Sequence, residues 1–315
     1  MWFKRFVRKK TPPRQGPGPY EVSQALHQTL PFIFNSPHSG RHYPERLIRM
    51  SRLKPKDLRK SEDCFVDLLF DQAPSLGAPL IHATFPRAYI DLNREPYELD
   101  PLMFSDKLPP YAVKDSERVF AGFGAIPRVV GQDMDIYPKK LLFAREQSRI
   151  EGIHKPYHRR LKELVDKTRA RFGWAAVIDC HSMPSNRSVS MLSLGRWVSS
   201  EEEGPARNPD FVLGDRYGGS CAGALTDWVE GTLKARGYTV ARNNPYAGGY
   251  TTRHYGRPQF GVHALQIEIN RRLYMNEKRL AIVPDAFEAL KANLGRLIKS
   301  LARLDLSFER QAAAE

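Results

Sequence analysis

The run Trp174-Ala175-Ala176-Val177-Ile178, followed at once by Asp179-Cys180-His181-Ser182, constrains this chain more than any other stretch. The apolar residues form a buried strand, and a carboxylate, an imidazole and a hydroxyl stand where the hydrophobic pattern gives way to turn chemistry. In an open α/β sheet, that end of a strand is where a site is expected. The preceding segment, about Lys139 to Arg171, reads mostly as helix with Leu161, Leu164, Val165 and Thr168 on one face, a break or kink at Pro156, and Gly173 as a stop signal. A helix feeding a buried strand is half of an α/β repeat, so an α/β fold is expected.

A second stretch has the same form. Leu30 to Phe34 is apolar and runs into Asn35-Ser36-Pro37-His38-Ser39-Gly40, so two strand ends, each carrying a histidine and a serine, converge above one sheet. A short buried helix is expected over Asp63 to Phe70, with Glu62 and Asp63 near its N-terminus. Leu80 to Thr84 and Ala88 to Leu92 read as strands, the latter leading into Asn93-Arg94, whereas residues 95–138 hold no sustained period and suit pocket loops. Further strands are expected at Val189 to Leu194, Asp210 to Asp215, Tyr238 to Ala241 and Val262 to Ile269, and a helix from Ala222 to Ala235. Residues 201–209 read as a charged loop and 248–258 as a binding loop. From Pro284, Phe287, Leu290, Leu294, Leu297, Leu301, Leu304 and Phe308 recur at spacings of three and four and mark an amphipathic helix packed on its own domain.

Charge and cysteine usage narrow the function classes. Forty-nine Lys and Arg against 35 Asp and Glu give +14, but six of the positive charges, Lys4, Arg5, Arg8, Lys9, Lys10 and Arg14, precede the first acid, Glu21. The arm therefore supplies much of the excess, which weakens a nucleic-acid- or membrane-binding reading, and neither an aromatic RNA-binding motif nor a recognition-helix framework is present. No apolar segment of signal-peptide length follows the arm, and three cysteines, Cys64, Cys180 and Cys221, leave one unpaired under any internal pairing, so a reducing cytoplasmic setting is expected. The organisation that follows is a basic arm and linker over 1–29, a single catalytic domain over 30–309 that includes the C-terminal helix, and a polar tail over 310–315.

Three chemistries compete for these residues. His38, His181 and one carboxylate of Glu62 or Asp63 make a two-histidine, one-carboxylate zinc site with a position open for water, and Glu268, an acid on a largely buried strand that shares a face with Gln266, is the base beside it. A serine nucleophile at Ser39 or Ser182 ranks lower, because neither lies in Gly-x-Ser-x-Gly. His154 and His158 lie four apart without the His-Glu-x-x-His arrangement, and read as supporting or surface groups. Arginines near predicted turns, Arg87, Arg94, Arg128, Arg253, Arg257, Arg271 and Arg272, suit recognition of an acidic substrate, Arg94 foremost because it follows Asn93.

Together Ser36-Pro37-His38-Ser39-Gly40, Glu62-Asp63, Asp91-Leu92-Asn93-Arg94, Asp179-Cys180-His181-Ser182-Met183, Gly249 to Gly256 and His263 to Ile269 resemble the N-formylglutamate amidohydrolase family, itself related to the zinc carboxypeptidase superfamily. The resemblance spans roughly residues 31–280. It implies a phosphorylase/hydrolase-like three-layer α/β/α fold around a central mixed sheet, a Zn2+ centre, and hydrolysis of a small acidic N-acyl amino acid, with N-formyl-L-glutamate as the family substrate and deacylation of another N-acyl amino acid as the alternative. It makes His38 and His181 metal ligands and favours Asp63 over Glu62 as the third. It also makes Glu268 the carboxylate beside the water and Asn93 with Arg94 the receiver of a substrate carboxylate; apart from the resemblance, one arginine, Arg87 or Arg253, is expected to stabilise the developing oxyanion. His38 departs from the carboxypeptidase His-x-x-Glu spacing, since Ser39, Gly40 and Arg41 follow it. The expected enzyme is a monomer or homodimer with no obligate nucleic acid and no integral membrane association.

Overall fold

A computed structural model of the chain describes residues 17–131, 134–185, 190–191, 197–198 and 208–307. Most of the basic arm, the charged loop at 201–207, most of the strand expected at Val189 to Leu194, and the C-terminal tail lie outside these residues. Seven strands form one mixed sheet: β1 Tyr20–Ser23, β2 Phe32–Ser36, β3 Leu80–Ala83, β4 Ala175–Met183, β5 Phe211–Gly214, β6 Val240–Arg242 and β7 Val262–Asn270. Their order across the sheet is β1-β3-β2-β4-β7-β5-β6. Strands β3, β2, β4 and β7 are mutually parallel, while β1 pairs antiparallel with β3 and β5 antiparallel with β7. Tyr20–Ser23 falls inside the segment expected to be a flexible linker, so ordered pairing starts before residue 29 and covers the edge of β3.

Side-chain alternation explains the three layers. Along β4, Ala175 and Val177 point into one core with Ile33 and Ala264, whereas Ala176, Ile178 and Cys180 point into the other with Phe34 and Leu265. The first core is closed by helix α1, Lys155–Phe172, through Tyr157, Leu161, Leu164 and Val165, together with Ile90 and Leu92 and with Ile126 from the irregular stretch. Helix α2, Gly223–Lys234, and helix α3, Pro284–Ser300, close the second; α3 buries Phe287, Leu290, Leu294 and Leu297 at the expected spacing. Burial of such aliphatic and aromatic side chains contributes roughly 1.5–3 kcal/mol each before chain entropy is set against it.

Several local expectations change. Helix α1 continues from a helix over Phe143–Arg149 through a π turn at Ile150–His154, so the irregularity expected at Pro156, which lacks an N–H for the preceding turn, is taken up without ending the helix. Ala88 to Leu92 is a turn segment, because the Pro86 carbonyl accepts from both Tyr89 and Ile90 N–H. The helix expected from Asp63 is one turn, Val66–Leu69, preceded by Phe65 in the left-handed region at φ 64°. The loop expected at 248–258 holds a short helix, Tyr250–Tyr255. Among the described residues, no helix is long and apolar enough to cross a membrane.

Candidate metal centre and its cavity

Past Val177 and Ala264 the face of the sheet that is core becomes the floor of a cavity. The β4–β7 register sets Asp179 beside Gln266 and His181 beside Glu268, while the β2–β4 register sets Asn35 beside Asp179. Polar residues thus replace apolar ones on one face at the C-terminal ends of three parallel strands, the position expected for a ligand. The cavity above them has a volume of about 520 Å³, within the range of small-molecule sites.

His38, Asp63 and His181 meet there, all buried. Asp63 Oδ2 lies 3.2 Å from His38 Nδ1 and 2.9 Å from His181 Nδ1, and the two imidazole centroids are 4.8 Å apart. The far nitrogens are fixed by further carboxylates: His38 Nε2 is 2.8 Å from Asp91 Oδ1, and His181 Nε2 is 3.0 Å from Asp179 Oδ2. Arg87 donates to Asp91 and Asn35 to Asp179. Ionised aspartates only accept, so each Nε2 carries the proton and each Nδ1 turns a lone pair toward Asp63 when the ring is neutral.

Asp63, not Glu62, is the third member of the cluster. Its backbone N–H donates to the His38 carbonyl, and its other oxygen, Oδ1, is approached by Arg271 Nη2 at 3.3 Å and Ser182 Oγ at 3.4 Å. Glu62 instead accepts from Tyr43, Arg59 and Cys64. The serines turn elsewhere: Ser39 bonds to Ser36 and to the Asp63 carbonyl, and Ser182 to Arg271 and Asp63, so neither presents its hydroxyl to an imidazole. A serine nucleophile therefore lacks its base.

The donor set suits a divalent cation. Ligands about a tetrahedral zinc at 2.0–2.1 Å stand roughly 3.4 Å from one another, close to the nitrogen–oxygen separations here. Asp63, Asp91, Asp179 and Glu268 crowd two imidazoles, an anionic surplus that a dication neutralises. The proton affinities record that surplus. Burial opposes charge on Asp63, yet hydrogen bonds from His181 and His38 hold it well below the usual carboxylate range. Burial likewise disfavours an imidazolium at His181, but Asp179, Asp63 and Glu268 raise it well above an ordinary histidine.

Glu268 is 8% exposed, lines the cavity and accepts from Gln266 Nε2 at 2.9 Å. Neither Arg271 nor Arg272 pairs with it; Arg271 goes to Asp63 and Arg272 to Asp210. Burial pushes its carboxyl up to about 7, His181 pulls the other way, and Asp63 reinforces the rise. Such a value suits a group that both takes and returns a proton near neutrality.

Arg87 and Arg94 line the cavity, whereas Arg253 does not: its guanidinium is half exposed and pairs with Glu95 at 3.2 Å, on the solvent side of the short helix that carries it. The oxyanion role expected of Arg253 lacks that placement. Arg94 is buried, donating to the Phe123 and Asn93 carbonyls, and burial lowers it to about 9 despite Asp91. Asn93 also lines the cavity, but its amide is largely committed: Oδ1 accepts from Thr251 N–H, and Nδ2 reaches Asp179 Oδ2 at 3.4 Å and stands 3.2 Å from His181 Nε2. This packing needs Gly249, since a Cβ there would stand 2.3 Å from Asn93 Nδ2.

Sequence reasoning missed the partners behind these groups. Asp91 and Asp179 lie two residues before Asn93 and His181, the only local signal of their role. His154 and His158, expected as supporting or surface groups and neighbours at the i,i+4 spacing, are buried and contact the Arg94 and Leu92 carbonyls at 2.9 and 2.7 Å, on either side of Asn93. Burial holds both imidazoles below the usual histidine range, so their Nε2–H groups serve as neutral donors.

The chain is similar to known proteins over most of its length. Residues 30–275 match the model of a family described as N-formylglutamate amidohydrolase. N-formylglutamate deformylase of Pseudomonas aeruginosa is 30% identical over 285 residues, 89% of this chain and 96% of its own length. That of Pseudomonas putida is 30% identical over 80% of this chain and 85% of its own. The crystal structure of N-formylglutamate amidohydrolase from Ralstonia eutropha JMP134 superposes with a TM-score of 0.82 at 37% identity, covering 91% of this chain and 98% of that one. A gene product of Agrobacterium tumefaciens, 19% identical with a TM-score of 0.62, shares the fold.

Proposed function

Because the chain belongs to the N-formylglutamate amidohydrolase family, we propose that it hydrolyses N-formyl-L-glutamate to formate and L-glutamate. The observation that carries the reading is the convergence of His38, Asp63 and His181 beside Glu268 in a cavity that arginines also line. In this reading His38 and His181 through Nδ1 and Asp63 through Oδ2 hold zinc, as in carboxypeptidase-like sites. Zinc bound there supplies Lewis-acid polarisation to water and to the formyl carbonyl.

The chain's own groups divide the rest of the work. Glu268 accepts a proton from water as the water oxygen bonds to the formyl carbon, then delivers a proton to the amide nitrogen as the carbon–nitrogen bond breaks. Gln266 orients that carboxylate through its 2.9 Å hydrogen bond. Arg87, which reaches Asp91 through Nε and lines the cavity, faces the charge that develops on the carbonyl oxygen. Arg94 receives the carboxylate next to the reacting amide, and Asn93 contributes mainly by holding Asp179 and His181 in place. All these residues come from one chain, so each subunit of a monomer or homodimer holds a whole site, and the free buried thiols of Cys64 and Cys180 suit a reducing, cytoplasmic setting.

The test is a panel of N-formyl, N-acetyl and larger N-acyl derivatives of Glu, Asp, Gln and neutral amino acids, with released amine measured and H181A as background. Preference for N-formyl-glutamate is the expected result. Absence of metal-dependent cleavage by folded, zinc-loaded protein across the panel would overturn the assignment.

A further inference from the structure

Two arginines of the cavity have no task in the chemistry above. Arg118 stands on the one-turn helix Glu117–Phe120, which Ser116 caps by accepting from Val119 N–H. Arg216 follows β5 and is the first of two consecutive non-glycine residues in the left-handed region, with φ 54° and Tyr217 at 57°. That conformation is unfavourable for such side chains and is held by surrounding bonds. Arg216 N–H donates to the Ala247 carbonyl at 2.8 Å, while Asp215 accepts from Gly218 N–H, Thr226 and Asn243. The Arg216 stem crosses Gly248, where a Cβ would lie 3.2 Å from its Cγ.

Among the described residues neither guanidinium has a hydrogen-bond or ion-pair partner, and Glu117, which lines the same cavity, pairs with neither. Arg253 and Arg118 both lie near enough to repel Arg216, and Arg118 and Arg87 repel Arg94. Arg94, Arg118 and Arg216 thus line one cavity whose floor is crowded with carboxylates, Arg94 buried, Arg118 half-buried and Arg216 on an exposed turn. A flexible arginine without a counter-charge ordinarily turns into water; two that line one cavity, one of them on a strained and locked turn, form a site for a planar anion.

We propose that Arg118 and Arg216 form a second carboxylate site that receives the side-chain carboxylate of the substrate, while Arg94 takes the carboxylate next to the reacting amide. The enzyme then selects a dicarboxylic N-formyl amino acid by charge at both ends. This rests on the function proposed above, which supplies the first carboxylate and the amide.

The experiment has two arms. In the first, kcat/KM is measured for N-formyl-L-glutamate and for its uncharged isostere N-formyl-L-glutamine, with wild type, R118A, R216A and R216K. The expected result is a loss of about ten-fold to a hundred-fold on N-formyl-glutamate, chiefly in KM, for either alanine variant. N-formyl-glutamine should be nearly unaffected, and R216K should recover part of the loss. Equal losses on both substrates would overturn the proposal. The second arm needs no turnover: glutarate and butyrate are titrated calorimetrically into zinc-loaded wild type and the same variants. Tighter binding of glutarate that disappears in R118A and R216A supports the site, and no preference in the wild type overturns it. A glutarate preference that depends on both arginines, in a protein that cleaves no N-formyl amino acid, would leave this site standing and remove the proposed reaction alone.

Discussion

His181 and Glu268 are register partners on the adjacent parallel strands β4 and β7. The proposed metal ligand and the proposed proton carrier are thus held by one rung of the sheet, and their separation is set by backbone hydrogen bonds rather than by a loop. Glu268→Gln keeps the shape and the bond to Gln266 but removes the proton acceptor. We expect kcat to fall by about 10²- to 10⁴-fold with zinc content unchanged. Glu268 must be ionised to accept a proton, so wild-type kcat/KM should fall as pH drops through its raised pKa. That value is about 7 without a cation, and a bound dication moves it lower. The ascending limb should therefore lie below pH 7 and vanish in E268Q; a limb that persists there would assign the titration to another group.

The ligand assignment is tested by zinc content after purification without chelator. His181→Ala and Asp63→Ala should each lose most of the metal, whereas Glu62→Ala should retain it, because Glu62 is occupied by Tyr43, Arg59 and Cys64. Asp91→Asn, which weakens the hold on His38 Nε2, should lower affinity about 10- to 100-fold without abolishing binding. Equal zinc in wild type and H181A would exclude His181.

Asp215 gives a stability prediction away from the metal. Burial raises its pKa, but Asn243, Gly218 N–H and Thr226 outweigh that and leave it lowered. A carboxylate depressed in the folded state adds stability above its unfolded pKa of about 3.9, and that stability is lost as pH falls through the lower folded value. Asp215→Asn should therefore cost about 2 kcal/mol at neutral pH in urea denaturation, with the difference from wild type narrowing below about pH 4. A pH-independent difference would place its effect in shape rather than charge.

Removal of residues 1–18 should leave kcat/KM within about two-fold, because among the described residues every cavity residue lies beyond them and Tyr20–Ser23 can still pair with β3. Loss of activity in a folded, zinc-loaded truncation would give the arm a role in the reaction.

The parts of this molecule that follow a local period were legible in the chain. Val177, Ile178 and the polar residues after them announced a buried strand with chemistry at its end, and Phe287 to Leu297 announced a helix face. Glu268 was legible because an acid on an apolar strand is costly without a purpose. What the period cannot encode is convergence. Ala88 to Leu92 has strand composition, yet Pro86 turns it, and that turn brings Asp91 under His38. Arg253 and Arg216 look alike among 49 basic residues, and only the short helix under one and the locked turn under the other send the first to Glu95 and the second to the cavity.

The strands that carry the centre are neighbours in space but distant along the chain: β2 ends at Ser36, β4 begins at Ala175 and β7 at Val262. During synthesis His38 leaves the ribosome long before Glu268, and no earlier segment can stand in for β7 beside β4. A nascent chain lacking its last fifth holds both histidines and Asp63 but not Glu268, so the four groups come together only once β7 has been made. Competence then arrives with the last strand of the sheet rather than by degrees, and a ligand that binds only the finished centre draws the whole chain toward its closed sheet by mass action.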